Sequence, residues 1–181
     1  GTTPTFDATD TGTTNGYGAC SATNASGVST CTMTSTVAEV KTLSIQTPIV
    51  DAGGTVTFDP DVPVAANSTI NGTGPVTADG VSTSTITIVL QDNFNNPTPG
   101  FTPTFDATDT GTTNNYGACT LSDATGTSTC TLDSTVAEVK TLQILTPVVK
   151  SDGNVTFQAG APVAANSDIN GTGPVSADGT S

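Results

Sequence analysis

The sequence contains no histidine, no tryptophan and no arginine. Histidine is the side chain that most often carries acid–base catalysis near neutral pH, so its absence argues against an enzyme of that kind. The only basic side chains are three lysines, against sixteen acidic residues, and the formal net charge is −13. Because phosphate groups are bound by clustered Lys and Arg, we expect no nucleic-acid partner.

Long apolar runs and phosphate-binding loops are also missing. No eighteen consecutive residues are apolar, so we expect no direct membrane insertion by this segment. A G-x-x-x-x-G-K loop is absent, and no stretch of ten or more residues shows a convincing helical period. We therefore expect an all-β protein that is not an enzyme and has no catalytic or cofactor-binding residues.

The chain contains an internal repeat. Thr3–Thr14 and Thr102–Thr113 share the sequence TPTFDATDTGTT, and the offset of 99 residues holds from Gly1/Gly100 to Ser82/Ser181. Of the 82 aligned positions, 58 are identical. Such self-similarity marks a tandem array, and a unit of roughly 100 residues has the usual size of an immunoglobulin-like sandwich.

The repeat predicts a linear arrangement of immunoglobulin-like antiparallel β-sandwich domains. We place an N-terminally truncated repeat at 1–65, a complete repeat at 66–164, and a junction or first strand of a following repeat at 165–181. Since Gly1 begins in mid-repeat, we expect these residues to be a segment of a longer array.

Alternating residues predict the strands of the complete repeat. In TITIVL, the side chains of Ile86, Ile88 and Leu90 share one face. The segment 65–80 is expected to be a short edge strand interrupted at Gly72–Pro75. In Val136–Leu145 strict alternation fails if Val139 points inward, so we predict a bulge near Lys140 and Thr141.

Four cysteines allow three disulfide pairings. Cys119 and Cys130 are symmetric about the loop Asp123–Gly126, and Cys20 and Cys31 are symmetric about the matching loop of the first copy. This hairpin symmetry favours the pairs Cys20–Cys31 and Cys119–Cys130. Metal binding is the weaker alternative, since there is no His and neither copy has a C-x-x-C motif.

Three stretches resemble one known family. ADGVSTSTITIVLQDNFNNPTPG at Ala78–Gly100, the DATG turn at Asp123–Gly126 and the stretch Val155–Ile169 are similar to bacterial immunoglobulin-like domains of the intimin/invasin type. The resemblance implies tandem β-sandwiches on secreted or outer-membrane bacterial proteins, often as adhesin stalks, with no catalytic residues to carry over. An oxidising extracellular setting also favours disulfides over free thiols.

From this resemblance we expect a structural stalk, spacer or fibre segment of an adhesin-like protein, extracellular and at the bacterial cell surface. Its partners would be neighbouring repeats of the same protein. Two alternatives stay open: a filament subunit that assembles with copies of itself, and a receptor- or glycan-binding module that uses loops at the sandwich ends.

Acidic residues at the repeat junctions offer candidate calcium ligands. Asp79 and Asp178 occupy matching positions there, and calcium needs several oxygen ligands that converge on one point. The alternative is turn formation, because Asp side chains bond to nearby backbone amides. We expect no cofactor other than calcium at these positions.

Each copy has a lysine two residues after a glutamate. Lys41 follows Glu39 and Lys140 follows Glu138, and residues two apart on a strand share a face. We expect solvated ion pairs. The alternative is a covalent Lys–Asn bond formed beside an acid, with the loss of one ammonia per bond.

Overall fold

The protein is all-β. The computed structural model describes residues 1–177 and 179, and within these it contains thirteen strands, one 3₁₀ turn at Ala164–Asn166 and no α-helix. The strands are β1 Thr5–Ala8, β2 Asn15–Tyr17, β3 Met33–Ser35, β4 Val40–Thr47, β5 Asp51–Thr57, β6 Thr69–Gly72, β7 Val76–Thr77, β8 Ser84–Val89, β9 Thr104–Ala107, β10 Asn114–Tyr116, β11 Thr127–Ser134, β12 Val139–Thr146 and β13 Lys150–Gln158. In this part of the chain nothing helical is long and apolar enough to cross a membrane.

Strands β6–β13 form a complete two-sheet sandwich. One sheet has the order β10-β11-β8-β6 and the other the order β7-β13-β12-β9. The pairings are antiparallel except for β7 with β13, which is parallel. The immunoglobulin-like sandwich predicted from the sequence is therefore present in β6–β13.

The sandwich core consists of the inward-facing residues of both sheets. As predicted, Ile86, Ile88 and Leu90 are fully buried on one face of β8 and its end. They pack against side chains of the opposite sheet, including Leu142, Ile144, Val155 and Phe157. Threonines alternate with the isoleucines of β8, so the threonine side chains lie on the outer face of the sheet.

The segment 65–80 crosses from one sheet to the other. β6 lies at the edge of the first sheet, and β7 lies at the edge of the second. Thr73, Gly74 and Pro75 separate the two strands, so the predicted interruption of an edge strand is confirmed. Ile70 is fully buried, which fixes this segment to the core.

The predicted bulge lies on the neighbouring strand. β12 alternates without an extra residue, with Val139 exposed and Lys140, Leu142 and Ile144 buried. The register shifts between Thr141 and Gln143, so Asp152 and Gly153 of β13 stand opposite Leu142. Gly153 has a φ of 66°, and a Cβ there would collide with the backbone oxygen of Ile70.

Strands β1–β5 form an N-terminal unit with the same local structure but less burial. Its sheet has the order β1-β4-β5, and β2 pairs with β3. Leu43 and Val56 are half-buried and Ile45 is 38% exposed, whereas their counterparts in the sandwich are 0–2% exposed. An apolar groove of about 650 Å³ lies along this face.

Two disulfides are present. Cys20 is bonded to Cys31 and Cys119 to Cys130, each across eleven residues, and the described part of the chain holds no free cysteine. Cys130 lies on β11 in the core, while Cys119 lies on a hairpin arm that is not a regular strand. Thr120 N donates to Thr129 O at 2.9 Å, so the hairpin keeps the predicted register next to the disulfide.

Candidate functional site

The contact between the N-terminal unit and the sandwich is organised by the turn that follows β8. Asp92 is 1% exposed, although it is a carboxylate in a loop. Its Oδ1 accepts hydrogen bonds from the backbone N of Phe94 at 2.8 Å and of Asn96 at 2.9 Å. Its Oδ2 accepts from Asn96 Nδ2 at 2.8 Å and from Asp61 N at 3.1 Å. One side chain therefore shapes the turn and holds the segment that connects the two units.

Asn96 carries the contact across to the N-terminal unit. Its Oδ1 accepts from Ala38 N at 2.9 Å, and its Nδ2 donates to Thr36 O at 3.0 Å. Both partners are backbone groups of the loop between β3 and β4. A side-chain amide that bonds to a donor and an acceptor of the same loop fixes the orientation of that loop as well as its distance.

Two further bonds tie the connecting segment to the same turn. Asn67 Nδ2 donates to Asp92 O at 2.6 Å, and Val64 N donates to Gln91 O at 2.8 Å. We call the residues Asp61, Asn67, Asp92 and Asn96 the junction clamp. Their bonds reach the N-terminal unit, the connecting segment and the sandwich.

The charge of Asp92 is stabilised by its hydrogen bonds. Burial acts to raise the pKa of this carboxyl, but the bonds from the Asn96 side chain and from the backbone of Asn96, Phe94 and Asp61 outweigh burial and lower the pKa below its ordinary value. Hydrogen bonds to an ionised acceptor are stronger than neutral ones, so the clamp is strongest when Asp92 is ionised.

The predicted solvated lysine pairs are buried, so this prediction was wrong. Lys41 and Lys140 are both 0% exposed. Lys140 Nζ lies 2.6 Å from Glu138 Oε1, donates to Thr108 O at 3.3 Å and lies 3.9 Å from Asp109 Oδ1. The long aliphatic part of a lysine can pack in a core while its ammonium reaches a polar edge, which the alternation pattern does not reveal.

The lysine of the N-terminal unit has matching partners. Lys41 Nζ lies 2.6 Å from Glu39 Oε1 and donates to Thr9 O at 3.4 Å. The bond from each lysine lowers the pKa of its glutamate partner, Glu39 or Glu138, below the ordinary value. The same arrangement of lysine, glutamate and backbone carbonyl therefore occurs in both units.

The calcium candidate Asp79 forms a turn. Its Oδ1 accepts from the backbone N of Val81 at 2.9 Å and of Ser82 at 2.6 Å, and its Oδ2 accepts from Ser82 Oγ at 2.8 Å. Asp178 lies outside the described residues. Among residues 1–177 and 179, no group of three or more His, Cys, Asp or Glu is placed to hold a metal ion.

The fold and this set of contacts define an immunoglobulin-like β-sandwich with a hydrogen-bonded inter-unit contact. The family model described as "Invasin, domain 3" matches residues 64–165, which is more than half of the chain. The chain belongs to this family. No functionally curated protein matches the sequence.

Two solved structures share the fold. The chain is 17% identical to the Escherichia coli adhesin FdeC with a TM-score of 0.69, over 89% of this chain and 54% of that one. It is 23% identical to InvD of Yersinia pseudotuberculosis with a TM-score of 0.65, over 93% of this chain and 50% of that one. The chain therefore spans about half the length of these two structures.

Proposed function

We propose that the chain is a structural spacer segment of a bacterial surface adhesin, extracellular and without catalytic activity. Membership of the invasin domain 3 family supports a surface-adhesin setting. The likeness to FdeC, which is described as an adhesin, agrees with this. Two disulfides suit an oxidising location outside the cytoplasm.

The domain division predicted from the repeat is part of this proposal. We assign 1–65 to a partial repeat, 66–164 to a complete one and 165–181 to a following junction. The family match at 64–165 supports the middle assignment. The partners of each repeat are then its neighbours in a linear array, and the reach of the protein grows with the number of repeats.

The junction clamp is the observation that carries the spacer function. A spacer holds its ends apart only if its units keep a fixed relative orientation, because freely jointed units collapse into many compact arrangements. Asn96 bonds to two backbone groups of the neighbouring unit, and Asp92 anchors Asn96 through a third bond. These bonds restrict rotation at the junction.

Replacing Asn96 by alanine tests the clamp. We expect small-angle X-ray scattering of Asn96→Ala to show a broader distribution of inter-unit distances than the wild type. The two bonds lost at the junction are neutral and contribute about 0.5–1.5 kcal/mol each. The third joins Asn96 to the ionised Asp92 and contributes about 1.5–3 kcal/mol, so the melting midpoint of the sandwich should also fall, and scattering is measured well below that midpoint.

Asn93→Ala is the matched control in the same turn. Asn93 is exposed, and its side chain makes no hydrogen bond within the described part of the chain. This variant should scatter like the wild type. If the Asn96 and Asn93 variants give superimposable distance distributions, the clamp does not hold the units in place and the spacer proposal loses its basis.

Self-assembly into a filament is the second candidate. The groove of the N-terminal unit exposes apolar side chains whose counterparts in the sandwich are covered by β6 and β8. The segment 164–177 nearly repeats 65–78, yet Ile169 is 96% exposed while its counterpart Ile70 is fully buried. Growth of the sedimentation coefficient with concentration supports assembly, and a constant monomeric value excludes it.

A further inference from the structure

Each buried lysine lies next to the side-chain amide of a half-buried asparagine. In the sandwich, Asn114 Nδ2 donates to Thr108 O at 3.2 Å, and Lys140 Nζ donates to the same carbonyl oxygen at 3.3 Å. The lysine nitrogen and the amide group are therefore neighbours around one acceptor. Asn114 starts β10 and Lys140 lies on β12, so the two residues come from opposite sheets.

Only the nitrogen of the Asn114 side-chain amide has hydrogen-bond partners among the described residues. Its nitrogen also donates to Tyr116 Oη at 3.0 Å and to Ala107 O at 3.3 Å. Its Oδ1 is buried and has no hydrogen-bond partner among the described residues. Buried amide oxygens normally accept a bond, so an unpartnered one next to a buried ammonium requires an explanation.

The N-terminal unit repeats this arrangement. Asn15 Nδ2 donates to Thr9 O at 3.1 Å, and Lys41 Nζ donates to the same oxygen at 3.4 Å. Asn15 Oδ1 is likewise buried and without a partner in the described part of the chain. Glu39 stands beside Lys41 as Glu138 stands beside Lys140.

We infer that Lys140 and Asn114 join in an intramolecular amide bond, with Glu138 as the proton acceptor, and that Lys41, Asn15 and Glu39 react in the same way. The Lys140 ammonium transfers a proton to the Glu138 carboxylate, and the neutral Nζ attacks Cγ of Asn114. The Nζ–Cγ bond forms and the Cγ–Nδ2 bond breaks. The departing Nδ2 takes one proton from Nζ and the proton held by Glu138, and it leaves as ammonium. Glu138 thereby returns to a carboxylate. The positive charge leaves with the ammonium, and no oxidant or reductant is needed.

The arrangement supplies what this reaction requires. Glu138 Oε1 lies 2.6 Å from Lys140 Nζ, within hydrogen-bond distance, so it is placed to receive the proton. The fold holds the two reacting groups side by side, which replaces a bimolecular encounter. The product ties β10 of one sheet to β12 of the other by a covalent bond that a reducing agent does not break.

Intact mass measurement of the purified, reduced chain tests the bond. We expect a mass lower than that of the unlinked chain by two molecules of ammonia, one for each unit. A mass equal to that of the unlinked chain overturns the inference.

Trypsin gives a second readout that suits this composition. The chain has no arginine and only three lysines, so complete digestion of the unfolded, reduced, unlinked chain cuts after Lys41, Lys140 and Lys150. A lysine whose Nζ is acylated is not cut. We expect cleavage after Lys150 alone, and Lys150 serves as the internal control. Loss of ammonia together with cleavage after Lys41 and Lys140 marks cyclised asparagine instead, and overturns the inference.

Glu138→Gln tests the proton acceptor with little change of shape. In this variant we expect cleavage after Lys140 to return, while Lys41 in the other unit stays uncut. A Glu138→Gln chain that remains uncut after Lys140 overturns the assignment of Glu138. Asn114→Ala removes the electrophile, so it should restore the same cut, and the chain should lose one molecule of ammonia instead of two.

Discussion

At the scale of single residues, the junction depends on side chains that local sequence patterns describe only as a turn. Asp92, Pro97 and Gly100 are residues that favour turns, and a turn follows β8. The partners of Asn96 lie 58 and 60 residues earlier in the chain, and no local pattern identifies them. The repeat does not help either, since positions 92–96 have no counterpart in the first copy.

The burial of Lys140 differs from the prediction, which places its charge in solvent. The sequence pattern favours Val139 as the inward residue and Lys140 as solvated. The structure reverses both, with Val139 60% exposed and Lys140 fully buried. A strict alternation through Lys140, Leu142 and Ile144 was visible in the sequence. A lysine in a core is rare unless its charge is paired, so a pattern of apolar residues alone does not predict this alternation.

Asp92→Asn should destabilise the sandwich in a way that depends on pH. A carboxyl whose pKa is lowered in the folded state contributes stability above its ordinary pKa, here 3.8, and that stability is lost as the pH falls through the lowered pKa. Near neutral pH we expect a loss of about 1–3 kcal/mol, because buried backbone donors lose an ionised acceptor. The difference from the wild type should shrink below pH 3.8.

Urea unfolding of both proteins at several pH values measures this difference. Asp123→Asn provides a comparison, since Asp123 also has a lowered pKa but caps an exposed loop, where the bonds are weaker. A difference between Asp92→Asn and the wild type that stays constant from neutral to strongly acidic pH contradicts the role given to the ionised form.

At the scale of elements, the strands that alternate cleanly were predictable and the irregular ones were not. The pattern TITIVL defined β8 and its buried face, and Gly72–Pro75 marked the change of sheet between β6 and β7. The bulge at Asp152 and Gly153 was misplaced because it depends on which residues of two strands stand opposite each other. Register is a property of a strand pair, so one strand's sequence does not determine it.

The two copies provide a matched comparison of strands that share sequence but differ in burial. β4 and β12 differ at two of eight positions, yet Leu43 and Ile45 are partly exposed while Leu142 and Ile144 are fully buried. Backbone hydrogen bonds open more readily where few apolar contacts hold them. We therefore expect amide hydrogen exchange to be faster in β4 and β5 than in β12 and β13.

Exchange followed by mass spectrometry of peptides from the two strand pairs checks this expectation. β4 and β12 differ at only two of eight positions, so their intrinsic exchange rates are close and the ratio of their rates reports protection. Equal protection of the two pairs would mean that the groove of the N-terminal unit is covered in solution. If the ratio of exchange rates also changes with protein concentration, that result supports self-assembly.

At the scale of the whole molecule, charge of one sign dominates the surface. Lys41 and Lys140 are buried beside glutamates, and Lys150 lies 3.5 Å from Asp152. All three lysines are thus paired with acidic neighbours, most of the remaining carboxylates are exposed to solvent, and the net charge of the chain is −13. Such a surface keeps neighbouring molecules apart but also repels itself, which destabilises the compact state.

Salt should therefore stabilise this protein. Raising NaCl to about 0.5 M shortens the screening length to below about 5 Å, which weakens the repulsion between exposed carboxylates. The lysines of the two ion pairs are buried while their glutamates are partly exposed, so these pairs are screened less than exposed ones and their contribution should persist. We expect the thermal midpoint to rise with NaCl and to level off once repulsion is screened, whereas an osmolyte such as sucrose should give a rise without a plateau. Scanning calorimetry across the NaCl series measures this, and a midpoint that falls with salt would show that attractive surface ion pairs, rather than repulsion, dominate the electrostatics.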